Sequence, residues 1–295
     1  MKTTSTFLSW VWAPNTPPFS WDQRPSRHWP RDSTHRLQRE AFPCDLTFLI
    51  VALIHSSWSS YRAYALTRQQ SRLSKVLSIN RFTGIDTRAA IGTVDHPLVN
   101  QPNAPSIAEL NQHFRQEGVR LSVSACKKAI AEWGGSVDEI THVVSTTCTN
   151  SANPGFDHYV TKGLGLRSGV EKILLHGIGC SGGLAAIRAA SNLALGSTFR
   201  KKPARILVLA CEISSLLVRS ELDSIHKEQK TRIGVCLFSD CASAAVLSNG
   251  VGEDEVYSPK YEILGWRHEI LEDSDQDLGF DVDPLGMRLA NKNIA

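Results

Sequence analysis

Short apolar runs alternate with helical patterns through the middle of the chain. Ile140-Thr-His-Val-Val-Ser-Thr146 is rich in β-branched residues, and Ala204-Arg-Ile-Leu-Val-Leu-Ala-Cys211 is almost continuously apolar. Both predict strands, the second covered on both faces. Ile173–Leu175 and the end of Gly234–Ser248 read as two more strands, and Tyr261–Trp266 as another. Between them lie helical stretches. Ser106-Ile-Ala-Glu109 has capping-box spacing, so a helix starts there. A second helical pattern runs from about Leu121 to Trp133 and stops at Gly134-Gly135. A polar loop, Thr146–Gly155, leads into a short helix to about Lys162, and an alanine-rich helix runs from after Cys180 to Gly196. Strands alternating with helices indicate a layered α/β fold.

The flanks differ. Residues 1–44 cluster proline and tryptophan, with arginines outnumbering acids and no sustained periodicity, which predicts a partly disordered extension. Leu46–Ile54 is the most hydrophobic stretch, a buried strand or a core helix. It falls well short of the ~20 residues a membrane span needs. Tyr61–Leu77 is helical and basic, a solvated face, and Ser78–Arg88 reads as a loop with a glycine turn. After Leu271 the chain becomes acidic and polar.

The junction between the strand ending at Leu175 and the alanine-rich helix carries the candidate chemistry. Gly177-Ile-Gly-Cys-Ser-Gly-Gly183 places Cys180 at a strand-to-helix elbow. The free N–H groups and positive dipole end of the helix favour thiolate over thiol. The glycines let an acyl group come close and let backbone N–H groups face an oxyanion. An isolated cysteine is usually a small buried hydrophobe. The coincidence of strand, glycine-rich turn and helix favours a nucleophile here. A hydrolase pair with His226 competes weakly, since His226 lies in the charged stretch Asp223–Lys230, a solvated loop. His142, inside a strand, reads as structural.

Composition narrows the classes. At 295 residues the chain can bury a sizeable core, and 42% apolar with 21% charged residues is ordinary for a globular protein. A net charge of +3, with no basic stripe, gives no support for nucleic-acid binding. The seven cysteines are odd in number and lack Cys-x-x-Cys spacing. This predicts a reducing, cytoplasmic setting with neither a disulfide framework nor a zinc site.

Ser78–Arg88, Thr141–Asp157, Leu174–Ala190, Ala210–Ser220, Arg232–Gly250 and Leu278–Gly286 together resemble the type III polyketide synthases. These form the chalcone-synthase-like branch of the thiolase superfamily, and the likeness is greatest to fungal members. The resemblance implies an α/β, thiolase-like layered fold with its N-terminal half essentially present and its C-terminal half only begun. It divides the chain into a divergent extension (1–70), a thiolase-like N-terminal domain (71–250) and the start of a C-terminal domain (251–295). It implies an acyltransferase that condenses an acyl-CoA starter with malonyl-CoA, with no cofactor beyond the coenzyme A thioesters themselves. Cys180 takes the place of the family's nucleophile. Phe238 takes that of a gatekeeper orienting malonyl-CoA for decarboxylation. Thr147, Ser214 and Leu217 fall where the cavity is shaped, though without the resemblance they read as ordinary core residues. Asn153 falls where a loop reaches the partner subunit of family dimers, and Met287 replaces a second aromatic gatekeeper.

The family's catalytic histidine and asparagine lie in segments downstream of 278–286, and the likeness ends at about Gly286. The alternative is therefore an inactive homologue, or a dimerisation partner of a full-length synthase.

Overall fold

The structure is a computed structural model. It describes residues 42–44, 66–85, 87–92, 96, 98–252, 259–274, 277–283 and 286–290. Of the extension expected over residues 1–44, residues 1–41 lie outside the described residues, as does Leu46–Ile54, while Phe42–Cys44 form a strand paired with Arg88–Ala90.

The elements in chain order are β1 (Phe42–Cys44), α1 (Leu66–Phe82), β2 (Arg88–Ala90), α2 (Ile107–His113), α3 (Val119–Trp133), β3 (His142–Thr146), α4 (Phe156–Leu164), β4 (Glu171–Leu175), α5 (Gly182–Phe199), β5 (Arg205–Glu212), α6 (Val218–Lys227), the single turn α7 (Gly234–Leu237), β6 (Cys241–Ser248), β7 (Gly279–Asp283) and β8 (Gly286–Ala290). The central sheet has the order β4-β3-β5-β6. β3 pairs in parallel with both β4 and β5, and β6 runs antiparallel to β5. Two small antiparallel pairs, β1–β2 and β7–β8, lie outside it.

Alternation along β5 explains the two layers on the sheet. Ile206 and Val208 join Val144 and Leu247 against Ala186, Ala190 and Ala194 of α5. These alanines recur every four residues, so one small-residue stripe lets the helix lie close to the strands. Leu207, Leu209 and Cys211 point the other way, into the cluster formed with α3 and α4 through Cys126, Ala129, Ile130 and Val160. A strand buried on both faces reads as a continuous apolar run, as β5 does.

The four strands of the central sheet and most helices fall where the pattern places them, and the differences have local causes. The Ser106 capping box forms, with Glu109 accepting from the Ser106 N–H at 2.7 Å. The helix after it does not end before Leu121. A π-helical turn, Phe114–Gly118, carries it into α3, and the rod stops at Gly134, whose φ is 87°. Gly196 does not end α5. The helix continues to Phe199 and closes with left-handed Lys201 (φ 55°), the Lys202 N–H reaching Ser197 O and the Lys201 N–H reaching Thr198 O, both at 2.9 Å. That closure satisfies the last carbonyls, so glycine is not needed there. Ser78 to Phe82 belong to α1 and not to a loop. His226 lies in the last turn of α6. Tyr261–Trp266 is not a strand: no described strand pairs with it, and Tyr261, Leu264 and Trp266 are exposed. An apolar pattern without a partner edge has nowhere to place its backbone hydrogen bonds.

Candidate active site

β3, β4 and β5 are parallel, so their carboxyl ends share one edge of the sheet, and antiparallel β6 begins at that edge. The Cys180 turn, the Thr147 loop, the Ser214–Leu217 turn and the Phe238 segment therefore gather on one rim. Their order along it is the strand order. Three strand spacings, about 14 Å, separate the ends of β4 and β6. Loops outside the carboxyl ends of parallel strands are the usual ligand site of such sheets.

At the β4 end, Gly177 (φ 71°) and Gly179 (φ 67°) hold left-handed conformations that open a turn, Gly179–Ser181, of 3₁₀ type. Cys180 is exposed on it. α5 starts immediately after, and its first residue, Gly182, is jammed against β3: a Cβ there would lie 2.5 Å from Thr146 Oγ1. No side chain caps this 18-residue helix, and the Ser181 hydroxyl donates back to Ile178 O at 3.2 Å. Its first N–H groups therefore have no side-chain acceptor at its N-cap, beside the Cys180 thiol.

Cys126, Cys148, Cys180, Cys211, Cys236 and Cys241 are free thiols. Burial pushes the Cys126 and Cys211 thiols up, and the Cys236 thiol up to about 11. Cys148 is pushed up to about 12 by burial first, then by the Glu212 carboxylate, with nearby Cys180 a lesser cause. These thiols stay protonated near neutrality and are poor nucleophiles. Cys180 combines exposure with a helix N-terminus.

Thr147 is buried, and its Oγ1 lies 3.3 Å from Glu212 Oε2. Glu212 was not singled out from the sequence, yet it organises this part of the rim. Its carboxylate accepts from the Cys148 N–H at 2.9 Å, the Thr149 N–H at 3.1 Å and the Thr149 hydroxyl at 2.8 Å. Thr149 Oγ1 in turn accepts from the Ile213 N–H at 3.0 Å. The loop after β3 is thereby tied to the end of β5. The available signal was an acid closing an otherwise apolar strand, Leu-Ala-Cys-Glu212.

Ser214 and Phe238 both line one cleft that is open to solvent. Its walls are largely apolar, with Ile91, Leu98, Val218 and Val235 among them. Cys180, Thr147 and Leu217 do not line it. Leu217 is buried in the turn that carries Ser214. The structure thus separates the five expected site residues into a Cys180–Thr147 side and a Ser214–Phe238 side, bridged by Glu212–Ser214. His142 lies at the opposite end of β3, hydrogen-bonded to Thr141 Oγ1 at 2.7 Å, as a structural residue would be.

Residues 68–251 match the N-terminal domain of the chalcone and stilbene synthases. The chain belongs to this family, the type III polyketide synthases. The acylalkylpyrone synthase csyB of Aspergillus oryzae is 49% identical over 215 residues, which are 72% of this chain and 54% of that protein. The solved fungal type III polyketide synthase ORAS superposes with a TM-score of 0.79 at 52% identity, over 86% of this chain and 64% of that one. A type III pentaketide synthase from Neurospora crassa gives the same TM-score at 46% identity, over 99% of this chain and 67% of that one. The chain spans about half the length of the curated relatives it matches. The fold is the thiolase-like fold of this family, and the described sheet and its helices are the N-terminal part of it.

Within this type III polyketide synthase chain, Asn153 is exposed in the loop after β3, and Met287 falls in β8. Among the described residues no cluster of His, Cys, Asp and Glu is arranged to hold a metal. No described helix is long and apolar enough to cross a membrane.

Proposed function

We propose that Cys180 accepts an acyl group from an acyl-CoA thioester, as the first half-reaction of a decarboxylative condensation with malonyl-CoA. One observation carries this reading: of the six free cysteines, Cys180 alone sits exposed on a glycine-lined turn at the start of a long helix that no side chain caps. The Cys180 thiolate attacks the thioester carbonyl, and the carbonyl oxygen takes the charge of the tetrahedral adduct. In this reading the backbone N–H groups at the start of α5 stabilise that charge. Collapse breaks the bond to the coenzyme A sulfur, which leaves as a thiolate and takes a proton from solvent. In the second half-reaction malonyl-CoA loses carbon dioxide, and its enolate carbon attacks the enzyme thioester and releases Cys180. Phe238 presents an aromatic face beside the malonyl carboxylate, and Thr147, Ser214 and Leu217 shape the space for the growing chain. The coenzyme A thioesters serve as substrates, with no resident cofactor.

In the same reading residues 71–250 are the catalytic N-terminal domain, the protein acts in the cytoplasm, and it pairs with itself or with a full-length homologue. An apolar stripe supports such pairing or a further packed layer: Leu184, Leu195 and Phe199 on α5 are 73%, 52% and 91% exposed.

Intact-protein mass spectrometry after mixing the chain with a long-chain acyl-CoA tests the first step. The expected result is a thioester-sized mass gain on the parent and none on Cys180→Ala. A folded parent that acquires no adduct from any acyl-CoA sinks the proposal.

A further inference from the structure

Asp240 is buried two residues beyond Phe238, where the chain turns into β6. Its Oδ1 accepts from the Ser215 N–H at 2.8 Å, and its Oδ2 accepts from the Ser215 hydroxyl at 2.6 Å and the Ile91 N–H at 2.7 Å. Its own N–H donates to Ala89 O at 2.8 Å. Three segments distant in sequence meet at this carboxylate: the end of β2, the Ser214–Leu217 turn and the Phe238 segment. Each supplies a wall of the cleft. The other end of the Phe238 segment is held by a second buried carboxylate, Glu221, which accepts from the Val235 N–H at 2.8 Å. Between them an Arg88 N–H donates to Cys236 O. Phe238 is thus slung between two buried acids, and Asp240 also binds Ser215 and Ile91.

We propose that Asp240 is the positioning residue of this cleft, fixing the distance between Phe238 and Ser214 and so the size of acyl group accommodated between them. The size selection rests on the acyl transfer proposed above; the positioning does not.

The hydrogen-bond pattern demands a carboxylate. An asparagine offers one oxygen and one NH2 group. If its oxygen faces the Ser215 N–H, the NH2 group meets the Ile91 N–H; flipped, it meets the Ser215 N–H. Either way one backbone donor loses its acceptor inside the protein, and one cleft wall is released. Burial raises the carboxyl pKa, and the donors from Ser215 and Ile91 oppose that.

The test places p-cyanophenylalanine at position 238 of the full chain as an infrared reporter, alone and with Asp240→Asn or Ser215→Ala. Asp240→Asn shifts or broadens the nitrile band and speeds amide exchange at Ile91 or Ser215 roughly tenfold or more, while β3 and β5 amides are unchanged. Ser215→Ala, which keeps the backbone donor, does less in the same direction. In chains without the reporter, Asp240→Asn also changes the ratio of Cys180 acylation by dodecanoyl-CoA to that by acetyl-CoA severalfold. An unmoved band in folded Asp240→Asn overturns the positioning. A moved band with an unchanged acylation ratio overturns the size selection. If Asp240→Asn does not fold, Ser215→Ala decides, and an unmoved band there overturns the proposal. If the parent is acylated by neither thioester, the functional reading and the size selection that depends on it both fall, while the band and the exchange rates still judge the positioning.

Discussion

The Cys180 turn beyond β4 and the Ser214–Phe238 cleft beside β6 occupy one rim of one sheet but are built in opposite ways. The turn is glycine and backbone: two left-handed glycines, a third packed on Thr146, and a thiol open to solvent. The cleft side is side-chain clamps: Asp240 gathers two walls and Glu221 holds the approach to Phe238. A nucleophile needs approach from outside and donors that require no side chain. A cavity wall needs fixed spacing between segments that the sequence does not keep adjacent, and buried carboxylates with several donors supply that. Glu212 stands between the two, tying the loop beside Cys180 to the strand that leads to Ser214.

The contrast is sharpest in thiol reactivity. With Cys148 pushed up to about 12, only about one thiol in 10⁴ is ionised at about pH 8. Limited alkylation followed by peptide mapping should modify Cys180 well before Cys148; equal labelling would remove the distinction between the two.

The next effect is that of the bridge. Glu212→Ala leaves the Cys148 N–H without its acceptor and the Thr149 N–H with Thr147 Oγ1 alone, and should cost about 2–4 kcal/mol in denaturant unfolding. Exchange should rise selectively in residues 147–150, and a loss spread evenly over the sheet would mean that Glu212 is no bridge. Gly182→Ala comes below it. Its Cβ would lie 2.5 Å from Thr146 Oγ1, forcing α5 off β3 at about 1–3 kcal/mol and slowing acylation at Cys180. An unchanged acylation rate would show that the helix start need not touch β3.

The smallest effect belongs to the cleft's own titration. Burial first, and then His113, lowers the pKa of His96 below its ordinary 6.5, with Glu117 opposing. Its folded value lies below its unfolded one, so the contribution is present above pH 6.5 and is lost as pH falls through the folded value. His142 shifts the same way, again through burial first. Thermal unfolding midpoints should therefore fall between about pH 7.5 and about pH 5.5, and His96→Gln should flatten that slope. A slope unaffected by the substitution would assign the pH response to other groups.

Much of this was legible before the structure. β-Branched residues marked β3 and a near-continuous apolar run marked β5, whose two faces are both covered, and the glycine-flanked cysteine announced its turn because left-handed backbone and close packing leave few other residues possible. Phe238 and Ser214 could be singled out only through the resemblance, since nothing in their local patterns differs from core packing. Tyr261–Trp266 misled because alternation specifies a strand only when an edge is available to pair with.

The sequence by itself determined the layered α/β class, the order of strands and helices through the middle of the chain, and the residue most suited to covalent chemistry. Those properties are local, written in periodicity, glycine placement and capping. Only the tertiary structure decided that Glu212 reaches the loop of residues 147–149 and that Asp240 joins Ile91 to Ser215. It also decided that Cys180 stands on an open turn, that Ser214 and Phe238 line a cleft, and that Thr147 and Leu217 are buried outside it. A buried carboxylate's role depends on which distant N–H groups fold against it, and no spacing along the chain records that.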